Sequence, residues 1–590
     1  MSALQATITI VLVAVMIGYM VSRKSKDKTI TFDRKLDDNY DYIVVGGGSA
    51  GSVVAARLSE VKEYRVLLFE AGGHYDENED IRVPVMWGSL QQTQQDWQYF
   101  TEPQKQSFQG LNDNKGYFPR GKVLGGTSCL NAMQYTRGSP FDYDEWKAAG
   151  CEGWGYEEVF KYFLKAENVE IDDLKSSPYH SKGGPITNTL GDNMELSDAF
   201  LKAGMELGYP ITDYNGEDQH GFSKVQKNIK NAVRSSTGFE YIGNAEYKDN
   251  LHVSLNSLVT KIDIDNKRAV GVYFIKDGRK HYVKCNKEIV VSGGTVNSPQ
   301  LLMLSGVGPK DHLTELGIPV HADLPVGKNL QDHQLLFLKS KINKPISINP
   351  AVLGSLWNKI MYKYFGTGPY ATSALEGSAF LHLDQTKVGK TYPDIQLIFF
   401  TYLPRGKNLN IKQHIADEVI ESDDDAHGFT IAVCTTRPKS VGRITLRSTD
   451  PFDYPKIDPA YYTNNKDVET VLGGIRLSEQ LFETEAFKEL GANLDGNKYS
   501  CCSDYTFRSD EYWKCVIRTL STTMYHHAGT CRMGARDNPT AVVDPQLRVI
   551  GIDGLRVADA SILPNITSGN TNTPTIMVGE KVADMIRNGN

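Results

Sequence analysis

A glycine-rich turn set between an apolar strand and a helix constrains this chain more than any other stretch. Tyr42-Ile43-Val44-Val45 is a short continuous apolar run rich in β-branched residues, as a parallel strand buried on both faces requires. It ends in Gly46-Gly47-Gly48-Ser49-Ala50-Gly51; residues 53–60 (VVAARLSE) then read as a helix, and Arg65-Val66-Leu67-Leu68-Phe69 as a second strand ending at Glu70. In such a βαβ unit Gly46 permits the tight turn, Gly48 lets a pyrophosphate approach the backbone and Gly51 allows close helix–strand packing, while the helix amino terminus favours phosphate charge. Glu70 is placed to accept hydrogen bonds from ribose hydroxyls. The unit predicts a bound dinucleotide and does not choose between NAD and FAD.

With 590 residues the chain has room for several structural units around this one. Its glycines cluster at 46–51, 121–126, 292–308 and 551–579, where backbone is expected to approach something closely. A net charge of −7 and a pI near 6.0 argue against a nucleic-acid partner, which would favour a basic face. The cysteines at 129, 151, 285, 434, 501, 502, 515 and 531 contain no CxxC pair, so no metal site is expected and most read as buried thiols. Cys501, Cys502 and Cys515 are close enough in sequence for a disulfide, although adjacent cysteines in a large chain usually serve packing.

At the amino terminus, Ala3 to Val21 carries no charge, and about 20 apolar residues suffice for a helix to cross a bilayer. A single membrane helix is expected over 3–22, with a basic linker over 23–40. Arg23, Lys24, Lys26 and Lys28 follow the run, which keeps that flank, and the body after it, on the cytosolic side. The alternative is a cleaved signal peptide with a secreted or lumenal body, but the leading positive region is missing.

Two further glycine-rich segments follow: Gly121-Lys122-Val123-Leu124-Gly125-Gly126-Thr127-Ser128-Cys129-Leu130-Asn131, and residues 294–308 from Gly294 to Gly308. Together with the first turn and the carboxyl-terminal block they resemble the signatures of the glucose–methanol–choline (GMC) family of FAD-dependent oxidoreductases, from residue 40 to 587. The resemblance implies an α/β architecture: a discontinuous Rossmann-like FAD-binding domain (41–155, 230–330 and 525–590) and a substrate domain built on an antiparallel sheet flanked by helices (156–229 and 331–524). It also implies noncovalent FAD. Gly46, Gly48, Ser49, Ala50 and Gly51 would meet the pyrophosphate and Glu70 the adenosine ribose. Val123, Thr127, Asn131, Ala132 and Met133 would lie along the flavin, and the Val259 backbone would contact adenine. Leu130 stands where some members carry a histidine that bonds the flavin. Asp559 and Ala560 resemble residues that close over the pyrophosphate; Asn570, Thr571 and Pro574 open the last helix, whose amino-terminal dipole would favour an electron-rich flavin.

Alcohol oxidation by a flavin needs a base for the hydroxyl proton and a donor for the developing alkoxide. The run Tyr525-His526-His527-Ala528-Gly529-Thr530 resembles the family's histidine motif and puts the base at His526, with Asn570 as the second member. Glu376 resembles a glutamate that holds the ammonium of choline in some members, or else is simply salt-bridged. His333 reads as support for the domain junction. The expected partners are a small-molecule alcohol and an electron acceptor, a quinone or another such as O2. Rival readings are a hydroxynitrile lyase-type member of the same family and a noncatalytic flavoprotein.

Overall fold

The computed structural model describes residues 35–192, 194–244, 249–405 and 409–589. The membrane helix expected over 3–22 and the start of the linker lie outside the described residues; among the described residues no helix is long and apolar enough to cross a membrane.

The apolar run is the middle of a parallel array. Strand Asn39–Val45 pairs in parallel with Val66–Phe69 on one side and with Arg279–Val291 on the other, and the array continues outward to Leu251–Ser254 and Leu555–Val557. Ile43, Val44, Leu67, Leu68, Ile289 and Val290 have no exposed surface, which is why both strands read as unbroken apolar runs instead of alternating. Strand Arg279–Val291 serves two pairings: its second half joins the parallel array, while its first half closes an antiparallel meander with Arg268–Lys276 and Leu258–Asp265.

Helix Gly51–Ser59 follows the glycine turn and packs on the last helix, Asn572–Arg587. A Cβ at Gly579 would stand 2.9 Å from the Ala50 carbonyl and from Val53, so the crossing depends on a small residue there. Arg57 reinforces the contact by donating to the fully buried Glu580 from Nε (2.9 Å) and Nη2 (2.8 Å). The closing helix begins at Asn572, one turn-half earlier than the Pro574 start expected from sequence.

A second, antiparallel sheet runs in the order Thr522–Thr523, Gln334–Lys341, Gly428–Thr435, Ile395–Phe400, Leu375–Leu381, Gly221–Lys224. Its two faces follow from strand periodicity. Leu336, Leu338, Phe399, Ile431 and Val433 pack into a large core that includes helix Asn465–Phe482. Their neighbours Leu335, Phe337, Phe400 and Thr430 face a cavity between the two sheets. Of the three clustered cysteines, Cys502 and Cys515 form a disulfide, with Cα atoms 5.9 Å apart, and Cys501 remains a thiol; the bridge ties the turn Ser500–Cys502 to helix Asp510–Leu520.

Candidate active site

A cavity of about 680 Å³ runs from the glycine turn to the antiparallel sheet. At the turn, Gly46 adopts φ +104°, and a Cβ on Gly51 would lie 1.8 Å from the Gly46 carbonyl oxygen. The turn is therefore closed to side chains at both ends, which leaves bare backbone and a helix amino terminus facing the cavity. Ser49 links it to the closing helix by donating to Asn572 Oδ1 at 2.8 Å.

The acids at this end are oriented by the backbone. Glu70 accepts from Gly47 N (2.9 Å) and Gly72 N (2.8 Å); burial pushes its carboxyl up to about 7 despite those bonds. Asp559 accepts from Gly294 N, Ser298 Oγ and Ser561 N, at 2.9, 2.6 and 2.7 Å. Gly46, Gly48, Ser49, Ala50, Glu70, Thr127, Asn131, Ala132, Met133, Val259, Asp559, Ala560, Asn570 and Thr571 all line the cavity. Gly51, Val123 and Pro574 lie behind its wall, buried in the turn, in the strand-sheet core and in the first turn of the closing helix. A long cleft of bare backbone and fixed acids at one end, opening onto apolar walls at the other, fits an extended dinucleotide with its reactive ring near the middle.

His526 stands at that middle. Its Nε2 is 3.1 Å from Asn570 Nδ2 and its Nδ1 is 2.9 Å from His333 Nδ1. A chain of hydrogen bonds sets its tautomer. The Thr436 carbonyl, 2.8 Å from His333 Nε2, can only accept, so His333 carries its proton there and offers a bare Nδ1. His526 must then donate from Nδ1, which leaves Nε2 as an acceptor facing the cavity and Asn570. Burial, reinforced by the neighbouring His333 and by the Arg120 cation, which also disfavour a second proton, holds the His526 imidazole well below the ordinary histidine range, and burial lowers His333 to about 4. Both rings are therefore neutral near pH 7. The Asn570 amide is fixed in turn: its Oδ1 accepts from Gln396 Nε2 (3.4 Å) and Thr136 Oγ1 (3.5 Å).

Three contributors escaped the sequence reading or were given another role. His333, read from the sequence only as support for a domain junction, hydrogen-bonds His526 and sets its tautomer. Asp332 accepts from the His526 backbone N at 2.9 Å and from the hydroxyls of Thr523 and Tyr461, and lies 3.3 Å from His527 Nε2. Arg120 brings a half-buried cation to the cavity wall within electrostatic reach of Asp559 and Asp332. The only signal for the first two was their place in Asp332-His333 at the end of a glycine-containing run; nothing local marks Arg120.

Glu376, expected either to contact substrate or to be salt-bridged, is not among the residues that line this cavity and is in a salt bridge. It is fully buried, its Oε2 lies 2.9 Å from Lys227 Nζ, and Oε1 accepts from the Thr372 hydroxyl. Lys227 is equally buried, and a cation without water access requires such a partner.

Residues 40–335 and 438–579 match two family models described as GMC oxidoreductase. The chain is 39% identical over 563 residues to the glucose dehydrogenase [FAD, quinone] of Drosophila pseudoobscura pseudoobscura, covering 94% of this chain and 88% of that one. It is 38% identical over 571 residues to the mitochondrial choline dehydrogenase of Mus musculus, covering 93% and 90%. Among solved structures, pyridoxine 4-oxidase from Mesorbium loti aligns with TM-score 0.80 at 29% identity, covering 93% of this chain and 99% of that one. A formate oxidase variant from Aspergillus oryzae aligns with TM-score 0.83 at 26% identity, covering 94% and 99%.

Proposed function

This chain belongs to the GMC oxidoreductase family, and we propose that within it His526 takes the hydroxyl proton of the substrate alcohol while Asn570 donates a hydrogen bond to the same oxygen. The reaction class is FAD-dependent oxidation of a CH–OH group to the carbonyl. FAD, when bound, supplies the hydride acceptor for the carbinol carbon. Gly46 to Gly51, Glu70 and Asp559 would hold its nucleotide part, with Asn131, Ala132 and Met133 along the ring.

The observation that carries the proposal is the pairing of an unprotonated His526 Nε2 with Asn570 Nδ2, 3.1 Å apart on the cavity wall. An alcohol oxygen on the cavity side, within hydrogen-bond reach of both, gives its proton to His526 Nε2 and receives a hydrogen bond from Asn570 Nδ2. Asn570 cannot titrate, so its dipole is constant while the base changes state. Mixing the holoprotein anaerobically with a panel of alcohols tests the reading: flavin absorbance bleaches with at least one of them, and no bleaching with any sinks it.

Leu130 lines the cavity where a flavin-bonding histidine would stand, so the FAD is taken as noncovalent and should be released by acid precipitation. The acceptor assigned here is a quinone, as for the relative named glucose dehydrogenase [FAD, quinone], with the uncharged segment 3–22 as a membrane anchor beside it. Stoichiometric hydrogen peroxide in place of quinone reduction would defeat that assignment.

A further inference from the structure

We infer that the alcohol accepted here is uncharged with an apolar body, and that the Lys227–Glu376 pair selects it by withholding the carboxylate a quaternary ammonium alcohol would need. This rests on the alcohol-oxidation reading above and specifies its substrate.

Beyond His526 and Asn570 the cavity is walled by Trp87, Leu335, Phe337, Phe400, Tyr402 and Met524. Leu335, Phe400 and Met524 belong to one apolar cluster against which Trp87, Phe337 and Tyr402 pack. Among the described residues, the acidic side chains lining the cavity are Glu70 and Asp559, both at the nucleotide end and both held by backbone N–H groups. The basic ones are Arg120 and Arg405. Arg120 lies toward the nucleotide end near Gly294 and Asp559, and Arg405 is paired with Asp424, so a cation entering the apolar end meets no acidic side chain among the residues that line it.

Glu376 is the acid that could have supplied one. Its pair with Lys227 lies directly behind the wall: the Lys227 backbone bridges to that of Gln134, Asn228 N donates to Met133 O at 2.7 Å, and Gln134, Met133 and Leu375 line the cavity. Lys227 Nζ bonds both Glu376 Oε2 (2.9 Å) and the Leu190 carbonyl (2.8 Å). The carboxylate is thus neutralised in place, and turning it toward the cavity would strand a buried ammonium. The aromatic walls attract an ammonium through their ring faces, but that attraction does not replace the hydration a cation gives up when no anion faces it.

Choline and 3,3-dimethylbutan-1-ol have the same shape and differ in one atom, nitrogen against carbon, and so in one charge. Calorimetric titration of each into dithionite-reduced holoprotein, where neither can react, measures binding alone. The uncharged isostere should bind at least about tenfold more tightly; choline binding equally or more tightly overturns the inference. Anaerobic mixing with oxidised holoprotein is run beside it. If no alcohol of the panel bleaches the flavin but the binding preference holds, the oxidation reading fails and the selectivity stands. In folded, FAD-loaded Lys227→Met the binding ratio should shrink by about tenfold or more as Glu376 is released, and an unchanged ratio removes the pair as its cause. Should that variant not fold, the unmodified protein's ratio still decides for or against an uncharged substrate.

Discussion

At His526, what matters is the bond on the side away from the substrate. A carbonyl at Thr436 fixes the proton of His333, and His333 fixes the proton of His526. His333→Ala removes the acceptor and should slow flavin reduction about 10- to 100-fold, the range seen when a partner that orients a metal-bound imidazole is lost; stopped-flow absorbance at saturating alcohol measures it. The pH profile has a defined sign. A base must be neutral, and a depressed pKa confines its loss to acid, so the reduction rate should be flat above about pH 7 and fall only below about pH 6. A rise continuing through pH 8 would contradict this. That His526 and Asn570 would meet at one cavity was legible because each sits in a recognisable run. Arg120 and the Lys227–Glu376 pair were not, because partners 149 residues apart meet only through the fold.

Among the elements, the glycine turn and the closing helix depend on each other. Gly51→Ala places a methyl 1.8 Å from the Gly46 carbonyl oxygen, so the turn must open; the expected outcome is loss of bound FAD, read by absorbance after gel filtration, with the rest of the fold destabilised by about 1–3 kcal/mol. Glu580→Ala leaves Arg57 and Lys165 without their shared buried partner and should lower unfolding free energy by about 3 kcal/mol or more in urea. The strands of the parallel array and the turn were readable from apolar runs and glycine spacing. The antiparallel sheet was readable in kind but not in its strand order, because that order is fixed by distant pairings such as Gln334 with Thr523 and Gly221 with Phe380.

Taken whole, the molecule joins a mixed sheet and an antiparallel sheet around one cavity, and its stability should report that design. His333, neutral and depressed to about 4 in the fold against an ordinary 6.5, contributes stability that is complete above about pH 6.5 and is lost as pH falls toward 4. Denaturant midpoints measured across that range should fall, and less so in a His333→Asn variant. The Cys502–Cys515 bridge should contribute about 2–3 kcal/mol for its short loop, seen as a lower midpoint in reducing agent. The sequence could not choose among Cys501, Cys502 and Cys515, because pairing depends on the docking of helix Asp510–Leu520.

The proposed role of His526 as the base is checked by rapid anaerobic mixing of FAD-loaded His526→Ala with an alcohol that bleaches the unmodified holoprotein. The flavin should remain bound while its reduction slows by roughly 10²- to 10⁴-fold; reduction at the unmodified rate would contradict it.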